Sequence, residues 1–179
     1  DRYGDTERSY RETMHPRILQ EQDRFPFLFI HSDSLKDPLR KKSVNEHTLT
    51  LCAILSEKTF SHIDAGKYGE RSEAYQALKE HTTDMILRTA EDAIPGLRRH
   101  LIAYETSTPL TNMHYIPSVN GSIYGTEKNI FSTGPFAYPT RTGIDGLFLA
   151  GHSTCGHGII GAGHSGRLAA AAALGCRSA

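Results

Sequence analysis

A mixed α/β fold is predicted, and three features of the sequence predict it. The apolar run Leu147–Ala150 stops at Gly151, passes through a glycine-rich stretch and continues into Gly161–Leu174, which carries five consecutive alanines, the best helix formers. That order reads as strand, loop, helix. Phe25–His31 and Thr48–Leu55 read as two strands of one sheet. Between these regions, Tyr75, Leu78, Thr82, Met85, Ile86, Thr89 and Ala93 recur at three- and four-residue spacings, which predicts a long amphipathic helix over 69–93.

Taken in order, residues 1–23 are densely charged and polar, with Met14, Ile18 and Leu19 as apolar anchors. A surface arm or a cut loop is expected there, with a short helix over Arg11–Gln20 interrupted at Pro16. Phe25–His31 has proline at its second position, which suits the start of a strand or an edge strand. Ser34–Pro38 makes a turn followed by the charged Arg40, Lys41 and Lys42. Thr48–Leu55 alternates and then becomes wholly apolar, as a strand entering a covered sheet does. The long helix closes at Pro95-Gly96, and Leu97–Tyr104 is expected to turn into a further strand. Thr108-Pro109 reads as N-cap and first helical residue of a short helix. Val119–Ser122 is a turn, and Phe131–Pro139 an irregular aromatic loop.

Composition narrows the function classes. With 179 residues, 38% hydrophobic, 22% charged and a formal net charge of zero, the chain lacks the basic excess of a nucleic-acid binder. No apolar run approaches the roughly 20 residues that span a bilayer, which leaves peripheral membrane contact open. Cys52, Cys155 and Cys176 are widely spaced and form no Cys-x-x-Cys pair, so a reducing, intracellular compartment is expected. His152, His157 and His164 fall at spacings of five and seven with no acidic residue between Gly146 and Arg167, a poor metal-binding pattern, and no metal is expected. Ser165 lies in Ala162-Gly-His-Ser-Gly166, whose spacing does not match a hydrolase nucleophile elbow.

The glycine-rich stretch carries the chemistry. Missing Cβ atoms let backbone amides approach a ligand, and the unpaired amides of a helix start favour a phosphate or an electron-rich ring oxygen. Close packing of strand on helix is the alternative use of such glycines. His152 or His157 could donate to a cofactor oxygen or simply face solvent.

The pattern Gly151-x-x-Thr154-x-Gly156-x-Gly158-Ile159-Ile160-Gly161-Ala162-x-x-Ser165-Gly166 resembles the C-terminal flavin-binding segment of the phytoene desaturase, carotenoid isomerase and retinol saturase family, within the amine-oxidase-like FAD flavoproteins. The resemblance covers about Phe25 to Gly175. It implies the C-terminal part of a FAD-binding flavoprotein fold: a partial substrate domain over 25–139 and a closing strand-helix over 140–179, after the polar arm of 1–24. It implies FAD as cofactor, with Gly151, His152, Thr154, Gly158, Ile159, Ile160 and Gly161 as binding residues. Gly158–Gly161 would offer backbone groups to the isoalloxazine edge and ribityl chain. The Thr-Pro segment leads, in that family, to the substrate channel, which implies His114, Tyr115 and Tyr124 as lining residues beside Asn112. Cys155 stands where the family often has proline, and a packed small residue is preferred to a reactive thiol.

Such an enzyme also needs a Gly-x-Gly-x-x-Gly fingerprint to seat the dinucleotide, and the chain contains none between a strand and a helix near its start. A second polypeptide or an N-terminal segment is therefore expected to supply it. The implied reaction is hydride exchange with, or flavin-assisted isomerisation of, an apolar polyene. A flavin-dependent oxidase of an amine or other small organic molecule, and a non-catalytic subunit that kept the fold, are the alternatives.

Overall fold

A computed structural model describes residues 6–15, 17–37, 39, 46–56 and 58–176. The chain divides into two compact units, Asp1–Thr111 and Asn112–Ala179.

In the first unit, helix α1 (Thr6–Thr13) is tied along its surface by Arg8–Glu12 and Arg11–Glu7 ion pairs one turn apart. Helix α2 (Ile18–Glu21) follows, and the break expected at Pro16 falls between the two, on a residue outside those described. Ile18 and Leu19 are no part of a solvated arm. They are buried in one cluster with Phe25 and Met85, ringed by Ala53, Leu55, Leu78 and Ile86. Apolar side chains in a charged segment have that single route out of water.

Strand β1 (Phe29–His31) pairs antiparallel with β2 (Thr50–Cys52), in the register Phe29↔Cys52, Ile30↔Leu51, His31↔Thr50. The two expected strands thus share a sheet, but both are shorter than predicted. The Phe25 N–H donates to Thr89 Oγ1 at 2.9 Å instead of to a strand, and Pro26 has no N–H to give. Leu51 and Cys52 are half-buried and Thr50 is exposed, so this sheet is not covered on both faces. The expected turn at Ser34 is a one-turn helix, α3 (Asp33–Lys36), and Ser34 Oγ accepts from the Thr48 N–H at 2.9 Å. Pro38 and Arg40–Lys42 lie outside the described residues.

Helix α4 (Lys58–Ser61) and the tight hairpin of β3 (Gly66–Lys67) with β4 (Glu70–Arg71) precede the longest element, α5 (Glu73–Ala93). The hairpin takes the first residues that periodicity assigned to the helix. Ser72 then caps α5 by accepting the Tyr75 N–H at 3.2 Å. Tyr75, Thr82, Thr83, Met85 and Ala90 form its buried stripe, and Gly96 at φ 83° ends the run. Leu97–His100 is a 3₁₀ turn, and the segment expected as a strand up to Tyr104 lies outside any helix or strand of the described residues.

Helix α6 (Pro109–Tyr115) begins where Thr108-Pro109 predicted. The cap works by a different exchange. Thr111 Oγ1 accepts the Thr108 N–H at 3.1 Å, while the Thr108 hydroxyl bonds the Tyr75 hydroxyl at 2.8 Å and anchors the start of α6 to α5.

The second unit holds the end of α6, a 3₁₀ turn at Val119–Gly121 with Asn120 at φ 53° and Gly121 at φ 71°, another at Gly134–Phe136, and helix α7 (Gly158–Ala173). Asn112 Nδ2 donates to Gly121 O at 3.0 Å and ties α6 to the first turn. The strand expected at Leu147–Ala150 is reduced to a single antiparallel bridge, Arg141↔Phe148, flanked by the Leu149 N–H donating to Thr140 O at 2.8 Å. A strand needs a neighbour, and the return segment at Thr140–Thr142 offers only this short one. Arg141 lies over the Phe148 ring at 5.6 Å and donates to Ala172 O at 2.8 Å, on the carbonyl-rich end of α7.

The two units differ in how they bury apolar groups. Among the described residues of the second, only Gly121, Thr154 and Ser165 are buried, while Ile130, Phe131, Phe136, Ile159, Ile160 and Leu174 are exposed.

Candidate functional site

The glycine-rich loop between Gly151 and α7 is held by hydroxyls. Ser165, fully buried on α7, accepts the Gly151 N–H at 2.7 Å and donates to Ala162 O at 2.7 Å. Thr154, also buried, donates its hydroxyl to Gly151 O at 2.8 Å and its N–H to the same oxygen at 3.2 Å. Both sides of Gly151 are therefore pinned, and its φ of 120° requires glycine. Ser165 thus has a structural role, bridging the loop and α7, which the sequence did not announce.

The loop glycines fall into two classes. A Cβ on Gly161 would lie 2.3 Å from Gly156 O, so the chain closes on itself there. Gly161 spends its missing side chain on Gly156, not on open space for a ring. Gly158 (φ 76°), Gly163 and Gly166 have nothing within 4 Å of where a Cβ would stand. The N-terminal residue before α7, His157, makes no side-chain cap, which leaves the first-turn amides for another acceptor. Ile159 and Ile160 on that turn are 93% and 89% exposed.

His152 lies against Gly125, where a Cβ would come within 2.6 Å of its Nε2. His157 Nε2 lies 3.1 Å from Thr126 O, and its ring stacks on Tyr124 at 5.7 Å between centroids. Tyr124 is thus brought to the loop. His114 and Tyr115 occupy the last turn of α6, edge to face at 4.9 Å. Cys155 is exposed. Among the described residues no three His, Cys, Asp or Glu side chains converge as a metal site.

Sequence reasoning missed Lys128. Its Nζ donates to Ser153 O at 2.8 Å and to Thr154 O at 3.0 Å, across 25 residues of chain. No local pattern announces such a contact.

The arrangement offers an uncapped helix start, with its partial positive charge, beside an open side-chain-free face. A family model described as flavin containing amine oxidoreductase matches residues 68–174, more than half of the chain. The chain belongs to that family. Two curated relatives agree with it. All-trans-retinol 13,14-reductase of Danio rerio is 30% identical over 141 residues, 76% of this chain and 23% of the relative. Prolycopene isomerase, chloroplastic, of Daucus carota is 33% identical over 108 residues, 57% of this chain and 17% of the relative. The chain thus spans about a fifth of the length of these relatives. No solved structure matches it.

Membership in this oxidoreductase family, on its phytoene desaturase, carotenoid isomerase and retinol saturase branch, carries FAD as the family's cofactor. The loop fits that group. An electron-rich ring oxygen suits the first-turn amides of α7, and the open glycines admit a flat surface where a side chain would stand. No described helix is long and apolar enough to cross a membrane.

Proposed function

We propose that this chain is the C-terminal portion of an FAD-dependent oxidoreductase that acts on an apolar polyene by hydride transfer or flavin-assisted isomerisation. The observation that carries the reading is the start of α7, whose uncapped amides and open glycines adjoin the exposed Ile159 and Ile160. Such a surface suits an apolar ring with polar edge atoms. The relatives support the substrate class, since one is named for retinol and the other for prolycopene.

Bound FAD would accept or return hydride, and the chain's part is to hold, orient and exclude water. Amides of Gly158, Ile159 and Ile160 would face the ring's electron-rich edge and favour its reduced, charged form, while Gly161 lets the chain close on Gly156 behind them. Gly151 and Thr154 hold the loop's shape, and His152 and His157 flank it. Tyr124, with His114 and Tyr115, would line the path of the apolar substrate.

A dinucleotide-binding segment, on the same or another polypeptide, completes the site in this reading and covers the apolar surface of the second unit. Co-expressing the chain with such a segment should give a yellow preparation with flavin absorbance. Its flavin spectrum should respond to retinoids or carotenoids and not to amines. A yellow protein bleached only by amines would move the substrate to the small-amine class, and a colourless, stable chain would make it a binding subunit.

A further inference from the structure

The segment Tyr124–Lys128 lies along the glycine-rich loop as a strap, touching it through Tyr124, Gly125, Thr126 and Lys128. Tyr124 stacks on His157. Gly125, at φ 72°, has no room for a Cβ, which would fall 2.3 Å from Ser153 Oγ. Thr126 O meets His157 Nε2 at 3.1 Å, and its hydroxyl reaches Ser153 O at 3.4 Å. Lys128 ends the strap on the Ser153 and Thr154 carbonyls.

We propose that Lys128 is a positioning residue for the cofactor, its ammonium fixing the direction of two loop peptides; this rests on the reading that the loop holds FAD. A lysine left to itself extends its head into water and keeps its rotamer freedom. This one is folded onto backbone oxygens, and among the described residues no carboxylate pairs with it.

Two consequences follow from peptide geometry and charge. In a trans peptide the N–H points opposite to the C=O, so aiming Ser153 O and Thr154 O at Lys128 turns the Thr154 and Cys155 N–H groups away from it. The Thr154 N–H goes to Gly151 O, which closes the turn that presents Gly151. The Cys155 N–H faces away from the strap, on the same loop that leads into the α7 amides. Lys128 also neutralises two carbonyls whose negative ends would repel an electron-rich cofactor oxygen. A hydrophobe of the same length would fill the space and do neither.

The test compares Lys128→Met with Lys128→Arg. In the full chain without flavin, Lys128→Met should speed amide exchange over 151–158 by about tenfold or more, the loss of a hydrogen bond to a charged group, while α5 amides stay unchanged. In the complex co-expressed with the dinucleotide-binding segment the same variant should weaken FAD affinity by about tenfold or more. Lys128→Arg, which keeps the charge and donors, should restore both to within about threefold. Unchanged exchange over 151–158 in Lys128→Met would overturn the grip. Faster exchange with FAD affinity within about twofold of the parent overturns the role toward the cofactor. Failure of Lys128→Arg to restore either overturns the dependence on charge. A parent complex with the dinucleotide-binding segment that takes up no FAD would instead refute the flavin reading itself, and the positioning role with it.

Discussion

Gly161 has no space for even a methyl group, because a Cβ there would overlap the Gly156 carbonyl. Alanine usually stabilises a helix interior over glycine by about 1 kcal/mol. Here the clash is with backbone, which cannot rotate aside, and overpacking of that kind costs about 1–3 kcal/mol. The clash wins, so Gly161→Ala should lower the urea midpoint of the flavin-free chain rather than raise it. Ser165→Ala should act through the other end of the loop, since it strands the Gly151 N–H beside a buried site. Leaving such a donor unpaired costs about 1–3 kcal/mol, and Ser165→Thr should not substitute for serine because a buried γ-methyl has nowhere to go. Equilibrium urea unfolding of both variants measures these costs. A stabilised Gly161→Ala would show that the loop does not close on Gly156.

At the scale of elements, what was legible in the sequence followed from local rules. The apolar spacing of α5 follows its own buried stripe, so the period is readable at Tyr75, Thr82 and Met85, though it passes over the buried Thr83 and Ala90 and takes in the exposed Ala93. Thr108-Pro109 marked the start of α6 because a proline ring pre-sets a first helical residue. Where partners decide, the reading ran out. Leu147–Ala150 has strand composition but meets a single bridge, and Phe25 gives its N–H to Thr89, which sits 64 residues away. The same limit hid Lys128, whose acceptors are distant in the chain. For α5 the packing and the cap can be separated. Ser72→Ala removes one capping acceptor and should cost about 1 kcal/mol, whereas Met85→Ala empties part of the Ile18, Leu19 and Phe25 cluster and should cost about 2–5 kcal/mol. Chemical denaturation followed by far-ultraviolet circular dichroism orders the two, and an equal loss would mean that Met85 is not in a packed core.

Across the whole molecule, the first unit has a buried apolar cluster of its own, and among the described residues the second buries no large apolar side chain. The second unit exposes Ile130, Phe131, Phe136, Ile159, Ile160 and Leu174, and of these Ile159 and Ile160 stand side by side as an apolar surface on the first turn of α7. If that surface is completed by a dinucleotide-binding segment and its flavin, substitutions on it should separate folding from assembly. Ile159→Asp and Ile160→Asp remove exposed side chains and place an acid in the first turn of α7, where the helix dipole favours it. Stability of the flavin-free chain should therefore stay within about 0.5 kcal/mol of the parent. In the co-expressed complex the same carboxylates would be buried against an apolar ring or partner, and an unpaired buried charge is costly enough to lower flavin content by about tenfold or more. Flavin absorbance per protein, measured beside the urea midpoint, reads both quantities on one preparation. Full flavin content in both variants would leave the first turn of α7 facing solvent in the assembled enzyme, and the cofactor would then have to sit elsewhere on the loop.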